Sequence, residues 1–368
     1  MEKGLLKNEE KAVFTLRSLY KRYGYHPYKM SKFEEYDLYV RNKDFLVSDS
    51  IITFTDFTGR LLALKPDVTL SIIKNTVDEP GYKEKVFYNE NVYRGSAVTH
   101  QYKELVQTGL ECIGDIDLPD VFEVVYLALA SLDAISSDFV FDLSHMGVLS
   151  AFISSISSDE TFKKDISKLV SERNSHDAMV LCEKYGVNPA SADELCQFIG
   201  LYGSIDDILP KLSAICKGGV ASSALDQLYR LCDLLSKTEY KDRIRLDFSV
   251  VNDMNYYNGI VFKGFLNGIS EGVLSGGEYG GLLQRMGRKS NAVGFAVYID
   301  LLDQLYLEKR EYDVDVLLVY DDGTSVDALF SAKKKYIDEG RSVTSQRIIP
   351  QKLRFKELVD LRGGVRYD

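Results

Sequence analysis

Residues 250–283, VVNDMNYYNGIVFKGFLNGISEGVLSGGEYGGLL, alternate large apolar side chains with small or polar ones, break at a glycine-rich turn, and then resume the alternation. A period of two places successive side chains on opposite faces, so the stretch commits the chain to paired antiparallel strands. Two details exceed what strands require. Tyr256 and Tyr257 stand beside Gly259, and as strand residues 257 and 259 share one face, which leaves space for a ligand beside an aromatic ring. Gly276-Gly277-Glu278-Tyr279-Gly280-Gly281 frames an acid and a phenol with four glycines, so the backbone there can approach a ligand closely.

Upstream, residues 9–23 space Val13, Leu16, Leu19, Tyr20 and Tyr23 as a helix that stops at Gly24. Residues 51–56 and 59–67 read as two strands around a tight turn at Thr58-Gly59, followed by a short helix. Asp67 and Thr69 fall at that strand-to-helix junction, where Asp67 is either a helix cap or a ligand group. Residues 85–94 and 104–113 are two more strands. In the second, Val106, Thr108, Leu110 and Cys112 share one face, and Gln107, Gly109 and Glu111 the other. That polar face is either solvated or buried, and if buried Glu111 needs a hydrogen-bonding or cationic partner. His145, alone before a helix, reads as a packing or capping residue. Residues 158–240 carry helical periodicity and no strand runs, whereas 314–346 read strand, helix, strand. Neither a GxGxxG nor a GxxxxGK[ST] motif is present.

A chain of 368 residues exceeds one core, and its net charge of −10 argues against a nucleic-acid surface. Five cysteines without CxxC spacing fit reduced thiols, and four scattered histidines predict no metal site. An N-terminus that carries acids and lacks an apolar core followed by a cleavage signal, and the absence of any apolar run near membrane-spanning length, predict a cytoplasmic protein with no membrane contact.

Four segments resemble, in order and spacing, the catalytic core of the histidyl-tRNA synthetase family, a class II aminoacyl-tRNA synthetase fold, over residues 8–308. TFTDFTGRLLALKPDVT is similar to TFxDxxGRxLxLRPExT, NVYR followed by QTGLECIG to motif 2 with QxGxExxG, DMNYYNGIVF to LDYYTGxVFE, and SGGEYGGLL to GGRYDxL. The resemblance implies an α+β fold: a class II synthetase-like antiparallel sheet flanked by helices, with a helical insertion and a small C-terminal α/β unit. The expected boundaries are 1–157 and 241–310 for the two parts of the core, 158–240 for the insertion, and 311–368 for a truncated anticodon-binding-like unit.

It also implies a histidine site. Asp67, in place of the usual Glu, and Thr69 would meet the α-amino group, with Gln107 along the backbone and Arg94 near the carboxylate. Glu111 and Tyr257, next to Tyr256, would hold the imidazole, and Tyr279 would close the site. Two cations of the family pattern are absent, because Asn252 and Leu301 stand where the histidine-specific Arg and the ATP-clamping Arg of motif 3 belong. Losing two preorganised cations would remove several kcal/mol of transition-state stabilisation, so aminoacylation is not expected.

A synthetase-like core of this kind is similar to the family of ATP phosphoribosyltransferase regulatory subunits. That resemblance implies a subunit without catalysis of its own, required for the first step of histidine biosynthesis and binding histidine for feedback. Its expected partners are a short-form catalytic subunit and a second copy of itself, as a homodimer within a hetero-oligomer, with no tRNA and no cofactor. An active histidyl-tRNA synthetase and a synthetase-like paralogue for another amino acid are the alternatives.

Overall fold

The computed structural model describes residues 7–42, 51–95, 101–216, 222–250, 257–305 and 311–363. The chain forms two compact units, residues 1–306 and 307–368. The first unit opens with α1 (Asn8–Arg22), which buries Ala12, Leu16 and Tyr20 at helical spacing. Glu9 and Glu10 in its first turn and Lys21 and Arg22 in its last complement the helix dipole. Gly24, at φ +83°, takes the left-handed conformation that ends it. There follow β1 (His26–Pro27), β2 (Phe33–Glu35), α2 (Tyr36–Arg41), β3 (Thr53–Thr55), β4 (Leu61–Leu64) and α3 (Thr69–Asn75). Strands β2, β4 and β3 pair antiparallel in a small sheet of their own.

Beyond β1, the main sheet is built from the long hairpin β5 (Lys83–Gly95) and β6 (Tyr102–Gly114), followed by α4 (Leu118–Ile135), β7 (Phe139–His145) and α5 (Met146–Ile156). A helical segment then runs through α6 (Glu160–Ser171), α7 (Ser175–Lys184), α8 (Pro189–Ile199), β8 (Tyr202–Gly203), α9 (Ile205–Ile215) and α10 (Ser222–Leu235). Side-chain caps from Asp159, Asn174, Asn188 and Ser204 start four successive helices, which explains how such short helices are so sharply bounded. The sheet resumes with β9 (Ile244–Asp247), β10 (Ile260–Leu266) and β11 (Leu274–Glu278), then α11 (Gly280–Arg285), β12 (Asn291–Tyr298) and a 3-10 turn, Ile299–Gln304.

Nine strands lie in the order β1-β5-β6-β12-β11-β10-β7-β9-β8. Pairing is antiparallel except at β1–β5 and β7–β9. One face carries the core: Leu110, Cys112, Phe141, Leu143, Phe262 and Phe295 pack against α1 and α4. The helical segment shares this core through Phe162, Phe198, Leu212 and Leu231. Its two-residue strand β8, which the sequence reading did not anticipate, pairs with β9 at the sheet edge.

The second unit is a parallel sheet, β14 (Val343–Gln346), β13 (Val314–Val319) and β15 (Phe355–Asp360), with α12 (Val326–Asp338) connecting β13 to β14. Val316 to Val319 are fully buried, as expected of a central parallel strand covered on both faces. Strand β15 is an unanticipated third member, with charged and exposed side chains. Among the described residues no helix is long and apolar enough to cross a membrane.

Candidate functional site

The face of the main sheet opposite the core is floored with small residues. Across the registers, Glu111 of β6 lies beside Gly294 of β12, then Gly277 of β11 and Val261 of β10. The next row reads Gly109, Ala296, Ser275 and Lys263. These missing side chains leave a cavity of about 640 Å³, within the range of small-molecule sites. At Gly294 a Cβ would collide with the Glu111 carboxylate, and at Gly277 it would fall 2.7 Å from the Tyr257 ring. Both glycines are there for close approach.

Glu111 is 2% exposed. Thr69 Oγ1 donates to its Oε1 at 2.9 Å, and the Tyr279 hydroxyl donates to its Oε2. Burial pushes its pKa up to about 8, a rise that these two donors oppose and the nearby Asp67 increases. Asp67 is also buried and raised above the ordinary carboxylate range, chiefly by desolvation and against the pull of Arg94. Its Oδ1 accepts from Leu70 N at 2.9 Å at the start of α3. Asp67 therefore both holds the first turn of α3 and lines the cavity. Arg94 Nε donates to Pro66 O at 2.9 Å, holding the guanidinium against the segment that carries Asp67. Gln107, 4% exposed, stands at the end of the polar face of β6, opposite Tyr298. The polar face of that strand is thus buried, and hydroxyls rather than a cation satisfy its acid.

Asp67, Thr69, Arg94, Gln107, Glu111, Tyr257 and Tyr279 all line this one cavity. Tyr256 and Asn252 lie outside the described residues. Two expectations are corrected. Residues 257 and 259 precede β10 and are not strand residues, and the space beside Gly259 is filled by the Glu278 carboxylate. Glu278 accepts from Ile260 N at 2.7 Å and from Gln227 Nε2 of α10, so it braces the loop instead of facing a ligand. Leu301, at the position of the motif 3 Arg, packs against the hydrophobic core. His145 caps α5, accepting from Gly147 N at 3.1 Å. Sequence reasoning missed Tyr88, Lys263, Ser275 and Tyr298, which also line the cavity. Cross-strand register brings them there, and the only local signal was alternation within each strand.

An acid-lined cavity on the open face of a mixed antiparallel sheet is the site of a class II synthetase-like fold. The histidyl-tRNA synthetase family matches residues 5–302, and the chain belongs to that family. Within it, the chain groups with regulatory subunits of ATP phosphoribosyltransferase. The one from Oceanobacillus iheyensis is 26% identical over 318 residues, 85% of this chain and 78% of the relative. In fold, the chain resembles an ATP phosphoribosyltransferase regulatory subunit/histidyl-tRNA synthetase from Bacillus halodurans C, with a TM-score of 0.77 at 21% identity over 99% of this chain and 97% of that one. It also resembles a chain of the ATP phosphoribosyl transferase (HisG:HisZ) complex from Thermotoga maritima, with a TM-score of 0.62 at 19% identity over 79% and 97%.

Proposed function

We propose that this chain is the histidine-binding regulatory subunit of ATP phosphoribosyltransferase, serving the first step of histidine biosynthesis without catalysing it alone. The position of Glu111 carries the histidine part: a buried carboxyl over a glycine floor, beside Asp67, Thr69, Tyr257 and Tyr279. A flat imidazole with an N–H donor suits that space. Asp67 and Thr69 would meet the α-ammonium, Gln107 and Arg94 the carboxylate end, and Glu111 and Tyr257 the ring, with Tyr279 closing over it. An N–H donor or cation favours ionised Glu111, so ligand uptake releases the proton that burial retains.

The packed Leu301 supports a binding rather than an adenylating role, because that position offers the cavity no cation. In this reading the catalytic partner is a short-form ATP phosphoribosyltransferase chain. This chain forms a homodimer within the hetero-oligomer, works in the cytoplasm and does not take tRNA as a ligand. Bound histidine favours one packing of residues 276–281 over another, and the signal is limited to its differential affinity for the two states.

The test is reconstitution. Adding the purified chain to a short catalytic subunit should raise the rate of phosphoribosyl transfer, and histidine should lower it again. An unchanged rate overturns the assignment, and histidine-dependent ATP–pyrophosphate exchange by the pure chain would make it a synthetase instead.

A further inference from the structure

We propose that the cavity has a second arm, built on Lys263, Ser275 and Tyr298, which binds the phosphate group of a small metabolite beside the amino acid. The proposal deepens the histidine reading by adding a second ligand to the same cavity. Lys263 lines the wall that no residue of the amino-acid site occupies. Along the registers it lies on β10, while Glu111 lies on β6, with β12 and β11 between them. Three strand spacings of ~4.8 Å put those strands about 14 Å apart.

The lysine does not fold back across that distance. Its ammonium stands 5.4 Å from the centre of the Phe265 ring, two residues along its own strand. Its stem crosses Gly272, where any Cβ would collide with it. A free histidine held at Glu111 by its ring reaches its own carboxylate in about six bonds, roughly 7 Å. It ends short of the lysine.

The far arm has its own donors. The Lys263 ammonium has no ion pair or hydrogen bond among the described residues. Asp142, its neighbour in register on β7, interacts instead with Asp247, Arg173 and Arg245. The Ser275 and Tyr298 hydroxyls share one hydrogen bond of 2.7 Å, which leaves one of the pair free to donate outward. An ammonium and a hydroxyl from neighbouring strands, lining one cavity beside an aromatic wall, suit a tetrahedral oxyanion with several acceptors. Among the described residues the one acid lining this arm, Glu271, is exposed.

The experiment titrates the full-length protein with inorganic phosphate, pyrophosphate and acetate at constant ionic strength, with and without histidine, and follows thermal stability. Phosphate or pyrophosphate should stabilise saturably, acetate should not, and the effect should persist with histidine bound. Lys263→Gln should weaken the phosphate response about tenfold or more, as expected for one lost charge-assisted hydrogen bond. Lys263→Arg should retain it, and both variants should keep the wild-type response to histidine. No saturable phosphate response, an equal response to acetate, or a phosphate response unchanged in Lys263→Gln each overturns the proposal. So does loss of histidine binding in Lys263→Gln, which would place the lysine in the amino-acid site. A wild-type protein that responds to phosphate and not to histidine would overturn the histidine reading and leave this arm standing.

Discussion

Glu111 keeps its proton to about pH 8 because burial removes water from its charged form. In the unfolded chain the same group ionises near 4.5. Between those values the unfolded state binds fewer protons than the folded one, so the contribution of Glu111 to the stability of the ligand-free protein falls as pH rises from about 4.5 to about 8. Below that window both states hold the proton and the effect vanishes. Asp142, pushed up to about 7 by burial and by Asp247, adds a decline of the same sign. Glu111→Gln keeps the size and one acceptor oxygen for the two hydroxyl donors but cannot ionise. It should flatten part of the decline, melt above wild type at pH 8 without ligand, and lose the stabilisation by histidine. Melting curves of the two proteins at matched pH values check this, and parallel declines would assign the slope to another group.

Where the helical segment meets the sheet, Arg173 adds an ion pair to the shared apolar core and the β8–β9 pairing. Arg173, just past α6, donates to Asp247 Oδ2 at 2.6 Å and to Ser249 Oγ at 3.0 Å, and its guanidinium lies 4.4 Å from the centre of the Tyr202 ring. Its backbone sits at φ +52°, a left-handed conformation unusual for a residue other than glycine. The ion pair outweighs that strain. Arg173→Ala keeps the strain and leaves Asp247, 3% exposed, without its cation. It should cost on the order of 2–3 kcal/mol, less than a fully buried pair because Arg173 is partly solvated. Arg173→Gly loses the same pair but relieves the backbone, and should cost about 1 kcal/mol less than the alanine variant. Denaturant unfolding of both measures the difference, and equal losses would sink the strain account. Elements of this kind were only partly legible in the sequence. Helices with side-chain caps and strands with strong alternation could be read directly, and the order of four motifs indicated the main fold. Strand β8 is two residues long, and β15 carries Lys356, Glu357 and Asp360, so neither had a pattern to read. The residues around Glu111 were found through motif spacing, whereas Lys263 was missed because β10 read by itself gives no sign of what lies across the sheet.

At the scale of the whole molecule, the small sheet bears on assembly. Phe33 and Phe54 stand edge to face with ring centroids 5.3 Å apart, and both are exposed. They share a face with the half-buried Leu62 and Leu64, their partners in register. A contiguous apolar surface of this kind favours association, and it is where the proposed second copy would dock. Phe54→Asp should shift sedimentation from dimer towards monomer while histidine still stabilises each chain, and an unchanged dimer would move the interface elsewhere. The cavity floor has a different kind of consequence, one of heredity. Gly109, Gly277 and Gly294 make the site by omission, and no amino acid is smaller than glycine. Every missense change at these three codons adds atoms to the space and none enlarges it. The lineage can therefore fill this cavity by many single mutational steps, and from such a change only a return to glycine restores the original floor.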